Sequence, residues 1–153
     1  MVPMIVLFVS TLIARIFVPW KDAFRVGLAV MFFFTAASHF APSISRDLAA
    51  MIPPPLTGAM WLIYATGVME IVGAIGLLTR RFRRPAAICL ALLLVAMFPA
   101  NVYAVIAGVP LRGAAATPLW LRTPMQLFWI ALLWWTTIRR SPGGAPVSAP
   151  ALS

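Results

Sequence analysis

Long apolar runs separated by short polar connections dominate this chain. Each run is close to the roughly 20 residues that an α-helix needs to cross a bilayer. The five runs are Val2–Trp20, Phe24–Ala41, Leu56–Leu78, Pro85–Gly108 and Pro118–Ile138. The second is short, and we expect a tilt or a local thinning of the bilayer to accommodate it. The pattern predicts an all-α fold, a polytopic bundle of transmembrane helices.

The apolar runs and the segments between them divide the chain into three parts. We expect residues 1–23 to form an N-terminal span and its connection, residues 24–140 a four-helix bundle, and residues 141–153 a disordered tail. The tail is rich in Pro, Gly, Ser and Ala and has little to bury. Between the second and third runs, Pro53, Pro54 and Pro55 prevent regular helix. We expect this connection to lie along the outer surface as an interfacial or re-entrant cap.

Composition agrees with a membrane location. Hydrophobic residues make up 63% of the chain and charged residues 10%, whereas a soluble domain has about 25% charged residues. The net charge is +9, but the basic residues gather at the ends of the apolar runs. They are not interleaved with aromatic residues on a polar face, as a nucleic-acid interface requires. We therefore expect a lipid bilayer, and no nucleic acid, as the partner of these charges.

The basic residues also predict the orientation. The first run lacks preceding positive residues and a following cleavage site, which argues against a signal peptide. An outside N-terminus places eight basic residues in cytoplasmic segments and two outside, the expected bias. The cytoplasmic residues are Lys21, Arg25, Arg80, Arg81, Arg83, Arg84, Arg139 and Arg140, and the outer ones are Arg46 and Arg112. We expect a multi-pass protein with a cytoplasmic C-terminus.

Polar side chains concentrate in the outer half of the predicted bundle. Glu70 is one of three acidic residues and lies about 18 Å from the outer end of its run. An ionisable group at this depth costs several kcal/mol without a partner and is a functional-site hypothesis by default. Other polar residues in the outer half include His39, Tyr64, Asn101, Tyr103, Arg122 and Gln126. One histidine and one cysteine predict neither a structural zinc site nor a dithiol, so we expect no metal.

Two interpretations of Glu70 stay open. It can act on protons or bind a ligand, or it can be a structural residue, either simply protonated or fixed by His39, Asn101 or Arg122. Gly67 lies three residues before Glu70 and Gly73 three residues after it. Both share its helix face, where a neighbouring helix or a ligand can approach closely.

Five short segments, in this order and spacing, resemble the DoxX family of small bacterial membrane proteins. They are Thr35–Phe40 (TAASHF), Met51–Pro53 (MIP), Gly67–Leu78 (GVMEIVGAIGLL), Phe98–Asn101 (FPAN) and Trp120–Gln126 (WLRTPMQ). The resemblance covers residues 24 to 138. It implies a four-helix bundle to which the first run is an N-terminal addition, and a location in the bacterial inner membrane. The family's polar set would map onto His39, Glu70, Asn101, Arg122 and Gln126.

The resemblance implies two functions and does not decide whether the chain is catalytic. One branch of the family includes the membrane subunit of a thiosulfate:quinone oxidoreductase, and others accompany oxidative-stress complexes. In a redox subunit, the electron carrier would be a bound quinone or a partner redox protein. Glu70 and His39 would then be the catalytic, proton-handling residues, while Asn101, Arg122, Gln126 and Tyr64 would bind the ligand. The alternative is a non-catalytic scaffold or assembly factor for a larger partner. A transporter is disfavoured because the inner half lacks polar groups and no inverted repeat is visible.

Overall fold

A computed structural model describes residues 2–111 and 113–138, with only the backbone of Ile138. The predicted tail, residues 141–153, lies outside this part of the chain. Within it the fold is all-α. Its helices are α1 (Val2–Arg15), α2 (Trp20–Phe40), α3 (Pro42–Ala50), α4 (Met60–Leu78), α5 (Arg83–Ile106) and α6 (Leu119–Leu133), and α6 continues as one π-helical turn over Trp134–Ile138. We define the outer end of the bundle as the end where α2 finishes and α4 begins.

Three helices, α2, α4 and α5, are long and apolar enough to cross a membrane. The protein is therefore a membrane protein built as an all-α helix bundle. The first and fifth predicted spans contain shorter helices, α1 with 14 residues and α6 with 15. The α1 helix ends at Arg15, whose guanidinium packs over the Trp20 ring at 5.1 Å.

The second helix is longer than the sequence predicts. It begins at Trp20 because Pro19 precedes it and the carbonyl of Pro19 accepts the amide of Ala23 at 2.9 Å. Proline cannot continue a preceding helix but suits the position before a new one. With 21 residues, this helix can span a bilayer without the thinning that we expected.

The outer connection is partly helical. The α3 helix starts with Pro42 at its first position, where the missing amide hydrogen costs nothing. The chain then leaves helical geometry at Met51 and regains it at Met60, so the expectation of irregular backbone around the three prolines holds. Ala49 and Ile52 pack against Ile63 of α4 in a small cluster, and α3 therefore covers the outer end.

Close contacts in the inner half fix the helices against one another. A Cβ atom on Gly73 would lie 2.5 Å from Leu90, and one on Gly76 would lie 2.6 Å from Ala86 Cβ. These glycines therefore let α4 and α5 approach more closely than alanine would allow. The main apolar core fills the same inner half. It contains Leu7, Leu28, Met31, Phe32, Leu77, Leu90 and Leu133 among others.

Arg25 closes the inner end of the bundle. Its side chain is buried, pairs with Asp22 one turn earlier, and donates to the carbonyl of Thr136 at 2.7 Å. From the sequence, Arg25 served only as one of the basic residues that predict the orientation in the membrane. The structure makes it a link between the start of α2 and the π-helical turn.

Candidate functional site

A cavity of about 320 Å³ lies in the outer half of the bundle. Residues from all six helices line it, with α3 along its outer side. Most of the lining is apolar, and the polar lining residues are Thr35, Ser38, His39, Glu70, Asn101 and Gln126. Four of the six predicted site residues therefore share one cavity, and they come from α2, α4, α5 and α6.

Glu70 faces the bundle interior. Its exposed fraction is 4%, and its Oε2 atom accepts a hydrogen bond of 2.8 Å from the Thr35 hydroxyl. The Nε2 atom of His39 lies 3.9 Å from the same oxygen, beyond hydrogen-bonding distance. The carboxyl group thus has one neutral donor and one imidazole neighbour, with a cavity beside it.

The ring of His39 is held from its other side. Its Nδ1 atom lies 2.9 Å from the carbonyl oxygen of Ile63 and 3.0 Å from the Thr66 hydroxyl. A carbonyl only accepts, so Nδ1 carries the hydrogen in this bond. Nε2, which faces Glu70, is then the nitrogen that can take up or release a proton.

Gly67 makes the position of this ring possible. A Cβ atom on Gly67 would lie 2.8 Å from the Cβ of His39 and 3.0 Å from the Phe40 ring. Gly67 was predicted to allow a close approach, and the approaching residue belongs to the site itself.

Amide side chains complete the opposite wall of the cavity. Asn101 accepts a hydrogen bond through Oδ1 from Arg122, which leaves its NH₂ group as a donor. Gln126 donates its own NH₂ group to the carbonyl of Leu94 at 2.9 Å, which leaves its Oε1 as an acceptor. Leu94 precedes Val95, whose carbonyl loses its helical hydrogen bond because Pro99 has no amide hydrogen. Arg122 does not line the cavity and acts on it through Asn101.

Tyr64 lies elsewhere. Its side chain is 42% exposed and stacks on Phe40, with 5.9 Å between ring centroids. It does not line the cavity that holds Glu70. Tyr103 is half-buried on α5 and does not line it either.

Several lining residues were not assigned to the site from the sequence, among them Thr35, Ser38 and Trp129. Thr35 was noted only as part of a motif, yet it is the hydrogen-bond donor to Glu70. Trp129 lines the cavity, and its Nε1 atom is buried without a hydrogen-bond partner. A buried indole N–H usually finds an acceptor, so this atom is suited to an acceptor group on a bound molecule. Its position one turn after Gln126 was the available signal.

Taken together, the fold and this cavity define a membrane helix bundle with a mostly apolar cavity near one end, into which a few polar groups converge. A profile of the family described as "Domain of unknown function (DUF8561)" matches residues 28–137. The chain belongs to this family, and the match includes every polar residue that lines the cavity. No curated protein and no solved structure gives a significant match.

Proposed function

We propose that this protein is a DoxX-like bacterial membrane subunit that binds a quinone, or a similar lipophile with a carbonyl-bearing ring, in the Glu70 cavity. The observation that carries this proposal is the combination of apolar walls with a few convergent polar groups in about 320 Å³. This composition is typical of small-molecule sites, and the volume is at the lower end of their range. It suits a single substituted ring.

The available donors fit a ring with two carbonyl groups. Trp129 offers a buried N–H without a partner, and Asn101 offers its NH₂ group. A ligand carbonyl that accepted a hydrogen bond from the Trp129 N–H would remove the cost of leaving this buried donor unpaired, about 1–3 kcal/mol. The fit supports a quinone better than an anionic ligand, because Glu70 is an acid and the Arg122 guanidinium lies behind Asn101.

Proton transfer is the second part of the proposal. Reduction of a quinone to a hydroquinone takes two electrons, which a partner redox protein would supply, and two protons. Glu70 and His39 are adjacent groups that can each hold a proton at the cavity wall. The Nδ1–H bond to Ile63 keeps His39 Nε2 directed toward Glu70.

Quinone titration of the purified protein tests this function. The probe is a benzoquinone with a decyl tail, and the readout is tryptophan fluorescence in detergent. We expect wild type to bind and Glu70→Gln to bind about tenfold more weakly, as the loss of one hydrogen bond from the carboxyl O–H to a ring carbonyl implies. Tyr64→Phe is the matched control because it removes a hydroxyl outside the cavity, and its affinity should equal that of wild type. Equal affinity in wild type and Glu70→Gln would refute the proposal.

A second function is favoured by one observation. Glu70, His39, Asn101 and Gln126 each have a hydrogen-bond partner within the protein. Such a network can serve to fix helix register in a non-catalytic scaffold or assembly factor. In that case wild type would not bind the quinone, Glu70→Gln would unfold more readily, and a larger membrane partner would co-purify.

The proposed location is the bacterial inner membrane, with the N-terminus outside and the C-terminus in the cytoplasm. The charge bias of the connections supports this orientation. It places the Glu70 cavity in the half of the bundle that faces away from the cytoplasm.

A further inference from the structure

A second cavity adjoins the Glu70 cavity. It has a volume of about 400 Å³ and lies between the outer halves of α4 and α5, below the irregular segment that follows α3. Apolar residues form most of its lining, including Ile63, Met69, Leu93, Ala96 and Ala100. Below, we call it the tail cavity.

The two cavities share a wall. His39, Leu48, Met97 and Asn101 line both of them. Two of these residues are polar members of the proposed site, and the other two are flexible or apolar side chains. A methionine adapts its shape easily, so Met97 is suited to a partition that a ligand crosses.

The tail cavity reaches the lipid-facing surface. Met69 is 50% exposed, and Ala96 and Pro99 on α5 are also exposed. Closer to the inner end, Gly73 against Leu90 and Gly76 against Ala86 bring α4 and α5 into tight contact. The tail cavity begins beyond these contacts, where neither helix has a glycine in the lining and α5 contains Pro99.

We propose that the tail cavity holds the apolar tail of an amphiphilic ligand whose polar ring occupies the Glu70 cavity. The ligand enters sideways from the bilayer, between the outer halves of α4 and α5, and its chain passes the wall formed by His39, Met97 and Asn101. This inference rests on the proposed function and adds the substrate class: a ring compound with a long hydrocarbon tail. A tail in this position exchanges contact with lipid chains for close packing against the apolar walls of the bundle.

The test compares two probes and two variants. The probes are a benzoquinone with a decyl tail and the same ring without the tail. Ala96→Phe adds bulk to the tail cavity, and Leu92→Phe adds a ring one turn away on the exposed face of α5, outside both cavities. Each affinity is expressed relative to wild type in the same detergent, so that partition of the probe into micelles cancels.

We expect Ala96→Phe to weaken the tailed probe about tenfold, as steric overlap between the added ring and the tail implies. The tailless probe should bind Ala96→Phe as it binds wild type, and Leu92→Phe should leave both affinities unchanged. Ala100→Phe adds the same ring at another position in the lining of the tail cavity. It should repeat the result if Ala96→Phe does not fold.

The outcomes separate the two proposals. If wild type binds both probes and Ala96→Phe affects them equally or not at all, the tail cavity has another role and the proposed function stands. If Glu70→Gln retains full affinity for the tailless ring, the proposed function fails. Absence of binding by wild type would overturn both.

Discussion

Thr35 on α2 and Glu70 on α4 are joined by a hydrogen bond of 2.8 Å between a hydroxyl and a buried carboxyl oxygen. These residues are 35 positions apart in the chain. The bond links two helices at the wall of the cavity and provides the shortest polar contact of Glu70. Its strength can be measured separately from any ligand.

Thr35→Val should destabilise the bundle. The change keeps the shape of the side chain and removes the donor to Glu70, at a cost of about 1–3 kcal/mol for a buried group that loses its partner. Thr35→Ser retains the hydroxyl and should unfold close to wild type. Denaturation by SDS in mixed micelles measures both free energies. Equal stability of Thr35→Val and wild type would mean that the contact is not formed in the membrane.

Gly67→Ala should displace His39. Alanine is favoured over glycine in a helix by about 1 kcal/mol, but the added Cβ would lie 2.8 Å from the His39 Cβ. Because the His39 Cβ is attached to backbone, we expect a net loss of about 1–3 kcal/mol and weaker quinone binding. The control is Val68→Ala at the next, exposed position of α4. A Gly67→Ala variant as stable as wild type would show that α2 and α4 can move apart at this point without loss of stability.

Arg25→Met should loosen the inner end of the bundle. It leaves the Thr136 carbonyl without the 2.7 Å donor and removes the partner of Asp22. We expect a loss of about 1–3 kcal/mol, measured by the same SDS denaturation. The exposed Arg84 provides the control, since Arg84→Met removes an equal charge from the same end. Similar losses in both variants would mean that only the net charge matters.

Cysteine labelling tests the orientation. In a Cys89→Ser background, Thr57→Cys lies in the exposed connection after α3, and Thr79→Cys lies in the exposed connection between α4 and α5. In intact spheroplasts, we expect a membrane-impermeant maleimide to label position 57 and to reach position 79 only after lysis. The reverse pattern would invert the predicted topology.

The helices of the bundle were largely predictable from the apolar pattern. The third run and α4 end at the same residue, Leu78, and α5 stays within two residues of its predicted limits. The exception is α3, where few apolar residues occur and only Pro42 marks a helix start. Runs of hydrophobic residues identify helices that face lipid. They carry little information on a short, more polar helix such as α3, which covers the outer end.

The sequence predicted how deep the site residues lie in the bundle better than which way each side chain points. Tyr64 lies in the outer part of α4 and Glu70 near its middle. Six residues on a helix correspond to a rotation of about 240°, so Tyr64 points away from the cavity. Thr35 and Trp129 went unassigned because a hydroxyl or an indole is ordinary in a membrane helix. Their roles depend on which helices are neighbours, and the apolar pattern does not contain that information.

Native mass spectrometry of the detergent-extracted protein tests the central claim most directly. Ser38→Leu adds bulk to the Glu70 cavity, while Ala37→Leu places the same new side chain on the exposed face beside it. We expect wild type and Ala37→Leu to carry a bound lipophile with the mass of a quinone, and Ser38→Leu to lose it. A wild-type protein without such a species, or one that Ser38→Leu retains at full occupancy, would contradict a ligand-binding role for the cavity.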